Sequence, residues 1–237
     1  MSEPFAAFGS CMRLLIFLGC CLFAIPATAQ FRSVLEQADY ETPRTFYGGL
    51  SAGVNFCQVD GDQRSGYHHV GLVAGPMVYA RLRGPLFASM ELLFSQKGSK
   101  DRSIRDNQYT GAGVAEYDIK LNYAEVPVTL LFKYKPRWTV GAGVTYGRLI
   151  SSKEEAWDNY PINLHPEINY FRKDDWEWHV LLNYEFYPAW MVSMRFSYSF
   201  TSIRDADRIP QGYGGGAQYN NLCSFRLCYF FHQKAEY

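Results

Sequence analysis

The chain has 237 residues, enough for one domain with a sizeable core. A formal net charge of +0, with charged residues at only 19%, excludes a nucleic-acid partner held by bulk charge and also an acidic solvating tail. Aromatic residues reach 17%, high for a soluble domain, while the slightly negative mean hydropathy is unlike a helical membrane protein and suits a barrel with one polar face.

At the amino end, Arg13 precedes an apolar run from Leu14 to Ile25, Pro26 breaks it, and Ala27-Thr28-Ala29 supplies small residues for cleavage. This pattern predicts a signal peptide over 1–29, with Met12 as an alternative start. The run is too short for a spanning helix, and no later stretch reaches the roughly 20 apolar residues one needs. Residues 30–44 are expected to form a periplasmic lead. Cys11, Cys20 and Cys21 leave with the signal. Cys57, Cys223 and Cys228 remain and form no disulfide framework, and the Cys and His spacings match no zinc motif, so neither metal nor cofactor is expected.

From residue 45 the chain alternates with period two. Phe46, Leu50, Ala52, Val54 and Phe56 share one parity, and Val70, Leu72, Ala74, Val78 and Leu82 repeat it. Leu86, Ala88, Met90, Leu92 and Phe94 follow, with Ser89, Glu91 and Ser95 opposite. Between Tyr117 and Tyr134 the parity changes, from Ile119, Leu121 and Tyr123 to Val126, Val128, Leu130 and Phe132, which predicts a bulge at Glu125-Val126-Pro127. Pro76 marks a second irregularity. Four further strands start at Trp138, Trp176, Trp190 and Tyr219; Glu177, His179, Glu185, Arg195 and Arg226 all lie opposite the apolar faces.

Arg83-Gly84-Pro85, Lys135-Pro136-Arg137 and Tyr187-Pro188-Ala189 read as tight turns. Between them lie long polar stretches: Cys57 to His68, Lys97 to Glu116, Ser151 to Asp175, and Ser202 to Gln218. Short and long connections therefore alternate, as in outer-membrane barrels with short periplasmic turns and long external loops. The prediction is an all-β, eight-stranded, antiparallel up-and-down transmembrane β-barrel over 45–231, followed by a tail over 232–237. Its place is the cell outer membrane, and Trp138, Trp176, Trp178 and Trp190 are its membrane-interface aromatics. The other arrangement with such alternation is a soluble lipocalin-type cup, with the apolar faces turned inward.

Three segments add a resemblance: Tyr47-Gly48-Gly49-Leu50-Ser51-Ala52-Gly53, Leu121-Asn122-Tyr123-Ala124-Glu125-Val126-Pro127-Val128, and Gly141-Ala142-Gly143-Val144-Thr145-Tyr146-Gly147. With them the chain resembles the PorT-like outer-membrane β-barrel family over about 45–231. The resemblance implies the barrel fold and no shared catalytic motif, and it brings in an accessory role in protein secretion as one reading. The chain departs from the pattern at its end, where six residues follow Phe231, so either Phe231 or Tyr237 serves as the assembly signal.

An eight-stranded barrel is just wide enough to be filled by its own side chains. Glu91, Glu177, Glu185, Arg195 and Arg226 are accordingly expected to form a structural ion-pair network in the lumen. The favoured function is a non-enzymatic scaffold or interaction protein with a plugged lumen. Its partners would be outer-membrane lipid and a protein reached through the loops. The oddly apolar third loop, with Trp157, Tyr160, Tyr170 and Phe171, is the candidate partner-binding segment. A rim-active lipid-modifying enzyme is the alternative raised by His68, His69, His165 and His179 beside Ser151, Ser152, Glu154 and Glu155. His68 and His69, being adjacent, face opposite ways.

Overall fold

The computed structural model describes residues 45–61, 66–101, 105–106, 113–114, 116–157, 161–162, 170–209 and 216–231. The expected signal, lead and tail lie outside them. Period-two alternation resolves into strands β1 (Phe46–Asp60), β2 (His69–Arg83), β3 (Leu86–Glu91), β4 (Leu93–Asp101), β5 (Arg105–Asp106), β6 (Gly113–Val114), β7 (Glu116–Lys135), β8 (Trp138–Trp157), β9 (Pro161–Ile162), β10 (Asp174–Tyr187), β11 (Trp190–Ser199) and β12 (Tyr219–Phe230). β3 and β4 are one wall strand interrupted at Leu92, so eight strands make the wall. Each pairs antiparallel with its sequence neighbour, and β1 closes the ring on β12. Closure leaves the eight-stranded wall with no unpaired edge among the described residues, as a bilayer requires.

The wall shows which face is out. Leu72 is 61% exposed, Met90 58% and Leu130 56%, whereas Glu91 and Arg195 on the other parity are 3% exposed. Apolar side chains face outward and polar ones inward, which removes the soluble lipocalin-type arrangement.

The parity change falls elsewhere than predicted. From Ile119 to Phe132 β7 alternates without interruption: Ile119, Leu121, Tyr123, Glu125, Thr129 and Leu131 are all buried, and Val128, Leu130 and Phe132 are exposed. The irregularity lies across from it, where Asn122 pairs with Ser151 but Tyr123 pairs with Leu149, leaving Ile150 as the extra residue of β8. Beyond this bulge Glu154, paired with Ile119, takes the inward parity. Pro76 breaks the ladder without a change of register: Met77 pairs with Glu91 and Ala74 with Phe94. Having no N–H, Pro76 only accepts, taking the Leu92 N–H at 3.0 Å.

The strands also run further than the alternation of apolar residues alone indicates. β4 extends to Asp101 and β8 to Trp157, so much of two expected loops is wall.

Candidate functional site

Reading down β10 from the loop end, the inward positions are Asp175, Glu177, His179, Leu181, Asn183 and Glu185, and they divide the lumen into layers. Near the short turns Leu181 joins Tyr47, Met77, Tyr79, Phe87, Leu131, Met191, Cys228 and Phe230 in a buried apolar cluster. Within it the Tyr79 and Phe230 rings meet edge to face at 5.2 Å.

Above this cluster sits Glu91. One carboxylate oxygen is 2.5 Å from Arg195 Nη2, and the other accepts from Arg226 Nη1; Arg226 Nη2 also donates to Ser193 Oγ at 3.0 Å. All three charged groups are nearly excluded from solvent, so each must find its counter-charge inside the barrel. His179 lies next, its two ring nitrogens each 2.9 Å from a threonine hydroxyl, Thr129 and Thr145. Space for that ring comes from Gly143: a Cβ there would stand 2.9 Å from His179 Nε2 and 2.0 Å from the Val128 carbonyl oxygen.

Higher still, Lys97 is the centre of the opposite arrangement. Its Nζ is paired with Glu177, lies 2.5 Å from Glu125 and 3.7 Å from Asp175, and stands 4.8 Å above the Tyr123 ring. Asn220 Nδ2 donates to Asp175 at 2.7 Å. Sequence reasoning misses Lys97, Glu125 and Asp175 as lumen residues. Lys97 reads there as the first residue of a loop, although it continues the inward parity of Glu91 and Ser95. Of the expected five-residue network, Glu91, Arg195 and Arg226 come together, whereas Glu177 belongs to the Lys97 cluster. Glu185 lies apart near the turn end, buried on the inward parity, its N–H bonded to the Arg137 carbonyl at 2.9 Å.

A second apolar cluster lies toward the loop end, made of Val59, Ile119, Leu121, Tyr123, Phe171 and Ile203. The segment after β11 turns inward to supply Ile203 and Arg204, both fully buried. Arg204 forms a two-pronged pair with Glu154 at 3.0 and 2.7 Å and lies 3.6 Å above the Phe171 ring. The adjoining Arg172 N–H bonds the Ile203 carbonyl at 2.7 Å. The Arg172 side chain and the Ser202 hydroxyl both donate to Asp205, holding that partly exposed carboxyl below its ordinary value.

The third loop is therefore not a uniform partner surface. Phe171 is buried under Arg204, which corrects its assignment to an exposed binding segment, and Tyr170 remains half exposed beneath Arg208. Trp157 ends β8, and Tyr160 lies outside the described residues. Among the histidines raised for rim chemistry, His69 is buried and His68 exposed, His179 is held between two threonines, and His165 lies outside the described residues.

Outside the wall, all four predicted tryptophans stand on the outer face in two tiers. Trp138 packs on Tyr184 at 4.6 Å and Trp190 on Tyr229 at 4.9 Å near the turns. Trp176 packs on Tyr146 at 5.1 Å and Trp178 on Phe196 at 5.5 Å toward the loops. Aromatic tiers bounding an apolar band are what a membrane's two interfaces select.

A closed antiparallel ring, apolar outside and polar within, defines a transmembrane β-barrel. The chain belongs to the outer membrane protein beta-barrel domain family, whose model matches residues 29–205, and it is a protein of the outer membrane. Among solved structures it is similar to Ail, the attachment invasion locus protein of Yersinia pestis, at 11% identity over 79% of this chain and 100% of that one, TM-score 0.43. Neisserial surface protein A is similar at 11% identity over 78% and 97%, TM-score 0.44. The outer membrane protein OprG from Pseudomonas aeruginosa follows at 10% identity over 79% and 94%, TM-score 0.38. Among curated proteins no match was found.

Proposed function

We propose that this barrel is a non-enzymatic scaffold or interaction protein of the outer membrane whose lumen is sealed by its own side chains. The observation that carries this reading is the stacking of two buried ionic clusters, Glu91 with Arg195 and Arg226, and Lys97 with Glu125, Glu177 and Asp175, between two apolar layers. A solute crossing the barrel would have to separate buried charges from their partners, at a cost of several kcal/mol per ion. With the lumen closed, what the barrel offers the cell is its external loop end, where Tyr170 and the Arg172–Asp205 pair are exposed. A swelling assay on proteoliposomes tests this. Vesicles carrying the barrel should admit small sugars no faster than empty ones, and rapid sugar entry would overturn the sealed lumen.

A second reading, an accessory of protein secretion, is supported by the three segments that resemble the PorT-like family, beginning at Tyr47, Leu121 and Gly141. A deletion strain that loses secreted cargo, and regains it with the gene restored, would favour that role; unchanged secretion would remove it.

A further inference from the structure

The periplasmic rim is electrically lopsided. The turn joining β2 to β3 brings Arg81 and Arg83, and the turn joining β7 to β8 brings Lys133, Lys135 and Arg137. These turns are neighbours because β3 pairs with β7, and the Lys133 N–H donates to the Pro85 carbonyl at 2.9 Å. No Asp or Glu occurs from His69 to Met90 or from Val126 to Lys153. The third short turn, Tyr187-Pro188-Ala189, carries no charge, and the Glu185 side chain beside it is buried on the lumen side.

Two of the five cations face the membrane. Register shifts at the base of both hairpins, between Arg81 and Arg83 and between Lys133 and Lys135, pair Arg83 with Leu86 and Lys135 with Trp138. Leu86 and Trp138 belong to the outer face, so Arg83 and Lys135 stand there too, both exposed. Tyr134, 66% exposed, projects beside them, with Lys135 Nζ 5.4 Å from its ring centre. Cations at headgroup height above apolar side chains at acyl height are complementary to a lipid whose headgroup is negative.

We propose that Arg83 and Lys135 bind the phosphate of an anionic phospholipid in the periplasmic leaflet, with its acyl chains lying along the outward-facing Met90 and Leu130 further into the membrane. Arg83 supplies planar, paired donors to phosphate oxygens, and Lys135 a point charge. Basic clusters at a membrane surface gain roughly a factor of 5 in anionic-lipid binding for each Lys or Arg.

Native mass spectrometry of the purified barrel, titrated with phosphatidylglycerol or phosphatidylethanolamine, tests the site. The intact protein should retain the anionic lipid preferentially. Arg83→Gln with Lys135→Gln should weaken that binding about 25-fold. Arg83→Lys with Lys135→Arg should keep it, as should Arg172→Gln with Lys173→Gln at the loop end. Should the glutamine variant fail to fold, a titration of the unaltered protein replaces it, in which the preference must fall as salt rises to about 0.5 M. Equal retention of the two lipids, or a glutamine double variant that binds like the parent, would overturn the site.

Discussion

Glu91 and Lys97 are each a single buried charge surrounded by several of the opposite sign, but their stoichiometries are inverted. Glu91 holds two guanidinium groups, whereas Lys97 is shared among three carboxylates. Taken alone, each cluster would leave an unbalanced charge in a low-dielectric space. Stacked in one lumen, three cations offset most of four carboxylates. The difference teaches that the interior is balanced along the barrel axis and not within each pair. The lone member of each cluster should therefore be the residue whose loss is felt most.

The largest effect is expected for Lys97→Met, which leaves Glu125, Glu177 and Asp175 facing one another without a cation. Unfolding by urea in detergent should show a loss of about 3–5 kcal/mol, the range for breaking a buried pair. A loss below about 1 kcal/mol would mean that water reaches the cluster. Glu91→Gln is expected to come next, toward the lower end of the same range, because glutamine still accepts a hydrogen bond from one of the two arginines. Replacing the whole cluster at once, by Glu91→Leu, Arg195→Met and Arg226→Leu in one chain, should fall between Glu91→Gln and the parent: no charge of the cluster is left unpaired, but the surplus positive charge that offsets the carboxylates around Lys97 is gone. A triple variant as stable as the parent would show that each cluster is balanced on its own.

The smallest effect belongs to the exposed Arg172–Asp205 contact at the loop end, and Arg172→Ala should leave the urea midpoint unchanged within error. Its pH dependence has a definite sign. The Asp205 carboxyl is held below its ordinary value of 3.8, chiefly by its hydrogen bonds from Arg172 and Ser202. Its contribution is therefore present above that value and is lost as pH falls through the lowered one. Proteolysis of the segment after β11 should accelerate only in that acidic window, and acceleration between roughly pH 5 and 7 would assign the loosening to another group.

Much of the barrel was legible in the alternation of large apolar residues, because lipid demands an unbroken apolar face from Leu72 to Leu130. The inward parity of Glu91, Arg195 and Arg226 was legible too, since charges opposite a lipid face have nowhere to go but the lumen; which of the five expected charges meet was not. Lys97 and Asp175 were not, because strands continue past the membrane and the apolar signal stops before the hydrogen-bonded ladder does. Ile119, Leu121 and Tyr123 misled for a related reason. Their partners Phe171 and Ile203 come from distant connections, so an inward apolar face looked like a slipped outward one. The real bulge, at Ile150, falls where two apolar residues, Leu149 and Ile150, are adjacent, so neither parity stands out there.

Single-channel recording in a planar bilayer addresses the central claim most directly, with the parent compared to a variant in which Glu91, Arg195, Arg226 and Lys97 are all replaced by alanine. The parent should show no steady conductance if, as proposed, charged and apolar layers seal the lumen from Leu131 to Ile203. A large, steady conductance from the parent, unchanged in the variant, would show that these side chains do not close the barrel.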